Sequence, residues 1–187
     1  MEITEQFVVT QPIESVWPLF QDVPELARCL PGAELTQDNG DGTYEGSVSV
    51  KLGPISASFV GKATVEHDHD ANTISIKGRG VDRSGGSQGR VDVGVDLEAT
   101  DEAHTSVTIT AAVQLAGPIA QFGRTGLVNE VSKRLIDEFS DCVHAKLDAA
   151  TPEEAATVEA SDVHGLSLFL ASLWSALTDG VKSLFKK

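Results

Sequence analysis

The side chains best suited to nucleophilic or metal chemistry in this chain are five histidines and two cysteines, and their spacing argues against both. His67 and His69 fall in HDHDAN, a run of alternating polar residues that reads as a solvated hairpin turn. His104, His144 and His164 are isolated. Cys29 and Cys142 are too few and too far apart in sequence to announce a disulfide framework or a zinc site. Cys142 sits at a helical core spacing, and both cysteines are expected as buried reduced thiols. No Ser-His-Asp or Cys-His pairing stands in a recognisable motif and no carboxylate pair has acid–base spacing, so no catalytic residue and no metal ligand is assigned. The glycine-rich stretch 78–89 lacks the Lys-Ser/Thr ending of a phosphate loop and the strand-to-helix setting of a dinucleotide fingerprint, and GRTG at 123–126 is no Walker motif. The stretch 78–89 is expected as a flexible lip at a cavity mouth. Arg79, Arg83, Arg90 and Arg124 gather near it, as a basic rim or as ordinary solvated charges.

The elements that must position such a cavity are plain in the middle of the chain. Tyr44, Gly46, Val48 and Val50 alternate with Glu45, Ser47, Ser49 and Lys51, and alternation continues over 55–66, 74–77, 91–98 and 107–115. Period-two runs with one wet face mean an antiparallel sheet covered on one side. Turns are expected at 39–42, 53–54, 68–72, 84–86 and 101–103. The cover is a long helix over about 120–147, with Leu127, Val128, Val131, Leu135, Phe139, Cys142 and Val143 in one stripe. A strand at 3–9, two short proline-punctuated helices at 12–20 and 23–30, and a strand at 33–37 complete an α+β order.

The inner face of this sheet is where a ligand would fit. Gly46, Ala57, Gly61, Ala63 and Ala111 stand where a filled core would prefer large residues, and no charged residue is expected on that face. The predicted apolar cavity is bounded by these five, by Val48 and Phe59, by Phe20 and Leu30 from the short helices, and by Phe122, Leu127, Val128, Val131 and Leu135 from the long one. The competing expectation is that Trp17, Phe20 and Leu30 fill the gap.

The C-terminal region is of a different kind. Leu166, Phe169, Leu170, Leu173, Trp174, Leu177, Val181, Leu184 and Phe185 recur at helical spacing, and Asp179 and Lys182 interrupt the run too early for a transmembrane span. An amphipathic helix lying on a membrane is the favoured reading, with docking on its own domain or in a partner's groove as alternatives. The stretch 148–161 is rich in Ala, Glu, Thr and Pro and reads as a flexible acidic linker. The division is thus a domain at 1–147, a linker at 148–161 and a membrane-associating helix at 162–187. With 187 residues and 41% hydrophobic content the chain can bury one good core, and its net charge of −14 makes nucleic acid an unsuitable partner. The acidic start, MEITEQF, carries no secretory signal, so a cytoplasmic location, peripheral on the inner face of the cell membrane, is expected.

The element order resembles the helix-grip (START-like, SRPBCC) superfamily. Within it, PIESVW at 12–17, CLPG at 29–32, KLGPISASF-x-G at 51–61, GRGVDRSGGSQG at 78–89 and AGPIAQFGR at 116–124 resemble the CoxG family of carbon monoxide dehydrogenase proteins over about 1–147. The resemblance implies a sheet wrapped around the long helix and an accessory protein of molybdenum carbon monoxide dehydrogenase or a related hydroxylase, without implying that this chain binds molybdenum. Since the electrons of such a dehydrogenase must reach the respiratory chain, it further implies a lipophilic ligand, menaquinone or ubiquinone, and no covalent cofactor. A ligand-free recruitment or assembly factor is the alternative, and a cyclase-like enzyme the third reading.

Overall fold

The computed structural model describes residues 1–52, 55–83, 85–124, 127–149 and 151–160. The alternating segments form β1 (Glu2–Val9), β2 (Ala33–Asp38), β3 (Thr43–Leu52), β4 (Ile55–Asp68), β5 (Thr73–Asp82), β6 (Ser87–Asp101) and β7 (His104–Ala116). All neighbours are antiparallel, in the order β1-β7-β6-β5-β4-β3-β2. Strands β2 to β7 are a meander. Strand β1 lies at the far edge, so the chain between β1 and β2 must cross from one edge to the other. Helices α1 (Ile13–Gln21) and α2 (Val23–Arg28) make that crossing. Val16 and Phe20, four apart on α1, are buried, and Asp22 caps α2 by accepting from the Glu25 N–H at 3.0 Å.

The cover is α3 (Leu127–Asp148), entered through a 3₁₀ helix at Pro118–Arg124 where the sequence suggested one continuous helix. The turn at Gly117, whose φ is +81°, starts this entry. Phe139, Cys142 and Val143 on α3 join Val9, Val16, Phe20, Val65, Ile74, Val95, Leu97 and Val107 in the main core. The Phe139 ring meets Phe7 and Phe20 edge-on, with centroids 6.1 and 6.2 Å away.

Four expectations are corrected here. Cys29 and Cys142 are a disulfide, with Cα atoms 5.4 Å apart, rather than reduced thiols, because the CLPG segment ends α2 directly against α3. The stretch 78–89 is largely strand: Gly78 pairs with Val91 and Gly80 with Gly89, leaving only a tight turn between Asp82 and Ser87. His67 remains in β4 on the inner face, its ring centroid 6.3 Å from Trp17, instead of lying in a turn. The stretch read as a flexible linker holds α4 (Pro152–Thr157), capped by Thr151. It is tied down where the buried Lys146 ammonium donates to the Ala155 carbonyl and to Glu25, at 2.9 and 2.7 Å. Arg28 donates to the Ala156 carbonyl, and the Ala160 N–H donates to the Arg28 carbonyl. The candidate membrane-binding residues, Leu166 to Phe185, lie outside the described residues. No helix among the described residues is long and apolar enough to cross a membrane.

Candidate functional site

Strand alternation aims Gly46, Gly61, Gly80 and Gly89 at the inner face, and the register places all four in one row across β3, β4, β5 and β6, ending at Leu115 on β7. Two of them are not openings. A Cβ on Gly46 would collide with the Glu34 carbonyl of β2, and one on Gly61 with the Arg79 carbonyl of β5. Glycine at these positions lets neighbouring backbones approach as the sheet coils around α3. Gly80 and Gly89 instead lie against the Phe59 side chain. A Cβ at Gly80 would come 3.1 Å from the Phe59 Cβ, and one at Gly89 would sit 3.6 Å from its ring.

Beside this row a second apolar group forms under the N-terminal half of α3. Ala57 and Ile119 are buried, and Val50, Phe59, Leu115 and Val131 pack on them only partly buried. The structure thus brings together three of the candidate cavity residues, Ala57, Phe59 and Val131. Ala63, Ala111 and Leu135 are partly buried, while the inner-face Val48 is 44% exposed. Phe20 belongs to the main core instead, at 1% exposure. Leu30 lines a different cleft of about 370 Å³ between α2, β2 and residues 159–160, with Arg28, Glu34 and Leu35. The side chains of Phe122, Leu127 and Val128 lie outside the description.

Polar groups on the inner face were missed by the sequence reading. Asp82 continues the inward set of β5 and is buried at 4% exposure, accepting from the Gly85 N–H at 3.0 Å. This corrects the expectation of a face without charge. Ser87, directly opposite Asp82 and equally buried, accepts from the Ile119 N–H at 3.3 Å and so ties the 3₁₀ helix to the sheet. Extending the β5 alternation past Ile76 would have found both. At the other end, the Tyr44 phenol packs against the main core, where burial and then the charges of Asp38 and Asp22 push its pKa up. The arrangement has an apolar floor and a few polar groups at one end, which suits a largely apolar ligand.

A family model for CoxG, a component of carbon monoxide dehydrogenase, matches residues 6–148. The chain belongs to the CoxG family. Family membership implies a role associated with carbon monoxide dehydrogenase. Among solved structures, a conserved protein from Geobacillus kaustophilus is similar at a TM-score of 0.69 and 18% identity, over 79% of this chain and 95% of that one. The Zhui aromatase/cyclase from Streptomyces sp. R1128 is similar at a TM-score of 0.57 and 15% identity, over 79% and 93%. A START superfamily protein from Mycobacterium smegmatis is similar at 0.56 and 10% identity, over 80% and 99%. At these identities the likeness establishes the fold, a START-like helix grip. No curated protein matches the chain.

Proposed function

We propose that this CoxG-family chain is a membrane-tethered accessory protein of molybdenum carbon monoxide dehydrogenase that carries a respiratory quinone between α3 and the sheet. The observation that carries the reading is the second apolar group. Under the N-terminal half of α3 only Ala57 and Ile119 are fully buried, and Val48 on the same face stays 44% exposed. An isoprenoid chain covering Val48, Val50 and Val131 would bury that surface, at about 25 cal/mol per Å². A menaquinone or ubiquinone fits because its ring is the polar minority of an otherwise apolar molecule, and because the dehydrogenase's electrons need an acceptor in the membrane. The tether is the amphipathic stripe from Leu166 to Phe185, apolar enough to lie in the headgroup boundary of the inner face of the cell membrane.

The test is organic extraction and mass spectrometry of the full-length protein purified from membranes, with liposome co-sedimentation beside it. A prenylated quinone near one per chain is expected, lost in Val131→Trp, which fills the space with the fold retained. Protein that is quinone-free even after incubation with quinone-loaded vesicles overturns the carrier reading in favour of a ligand-free recruitment factor. Equal sedimentation after Leu173→Glu with Trp174→Glu overturns the tether.

A further inference from the structure

The alternation that sends Gly61, Gly80 and Gly89 inward sends Lys62, Arg79 and Arg90 outward, and the register sets them in one row across β4, β5 and β6. The arginines expected at a cavity mouth are therefore on the opposite side of the sheet. All three side chains are exposed, as is Arg83 in the adjoining turn. Lys62 holds Glu45 at 2.6 Å. Arg79 and Arg90 face each other directly, an arrangement that costs stability in an isolated sheet, and neither has an ion-pair partner among the described residues. By contrast Arg28 and Lys146 both reach Glu25, and Arg134 reaches Glu138. Next to the row, Val60 lies opposite Val81, at 49% and 43% exposure.

We infer that this basic outer face, Lys62, Arg79 and Arg90 around Val60 and Val81, docks an acidic patch of a partner protein. Resting on the function proposed above, that partner is the dehydrogenase. Two unpaired arginines on a chain of net charge −14 make a localised positive field that selects for anions. A flat anionic bilayer is a poor fit. The other half of the same face carries Glu66, Asp68, Asp96 and Glu98, which a planar surface would meet at the same time, whereas a protein patch can cover the basic half alone. The placement suits delivery. The row backs directly onto the glycine row, so a partner docked there stands one sheet thickness from the space beside Phe59.

The experiment measures binding of the full-length protein to purified dehydrogenase by biolayer interferometry at two salt concentrations, with liposome sedimentation in parallel. Arg79→Glu with Arg90→Glu should weaken dehydrogenase binding by about tenfold or more and flatten its salt dependence, leaving liposome binding unchanged. Arg79→Gln with Arg90→Gln should also weaken binding while melting no lower than the natural protein, since it removes the opposed charges. Equal binding by natural protein and both variants overturns the docking surface and leaves the proposed function standing. No binding by the natural protein brings down both. Variants that lose liposome binding but keep the dehydrogenase would make this face a membrane contact and refute the inference.

Discussion

The two halves of α3 meet the sheet on different terms. Toward its C-terminus, Phe139, Cys142 and Val143 are locked among Phe7, Phe20, Val107 and a disulfide to α2, and Lys146 is sealed against Glu25 and α4. Toward its N-terminus, Val131 rests on a group in which only Ala57 and Ile119 are fully buried. One end holds the helix in place and the other leaves room beside it. Stability and ligand space are thereby divided along a single helix, so that the loose end can stay under-filled without unfolding the domain.

The sharpest way to break this division is to truncate one apolar side chain at each end. Phe139→Ala should cost about 3–5 kcal/mol in chemical denaturation, and Val131→Ala about 1 kcal/mol, because only the first leaves a cavity in a packed core. Equal losses would mean that the two ends are equally filled. Next in size is the disulfide. It closes a loop with a sequence separation of 113, and Cys142→Ser should lower stability by about 2–4 kcal/mol. Intact-mass comparison with and without reductant checks the bond itself, and unchanged stability would move the anchor onto the aromatic packing alone. Smallest is the glycine row. Gly61→Ala forces apart β4 and β5 and should cost about 1–3 kcal/mol, whereas Gly89→Ala meets Phe59 at ordinary contact distance and should be nearly neutral by thermal melting. A tolerated Gly61→Ala would show that the row borders open space after all.

The strands were legible because one wet face leaves a period-two trace, and the turns around Asn39–Gly42 and Asp101–Ala103 are where their residue types placed them. The α3 stripe was legible for the same reason at period 3.6. What failed to show was whatever depended on elements meeting in space. Cys29 and Cys142 carry no local signal that α2 ends against α3. Gly46 and Gly61 have the composition of a vacancy and the function of a close approach, a distinction visible only once the neighbouring carbonyls of Glu34 and Arg79 are in place. Asp82 was hidden by a reading that stopped β5 at Lys77 and took the following glycines for a loop. The acidic stretch after Asp148 looked unstructured because its partners, Lys146, Glu25 and Arg28, lie on two other helices.

Pinning α4 changes what kind of tether the chain can have. A free linker of this length would let the domain wander over about 20 Å and present any side to whatever the tail holds. With Ala160 hydrogen-bonded to the Arg28 carbonyl, the chain leaves the domain from a stationary point beside α2 and β2. Residues 161–187 then act on the domain as a handle acts on a tool: the grip position decides which side faces forward. A dehydrogenase arriving at the outer face would find it at a constant angle to the surface beneath, and every encounter would begin from the same pose.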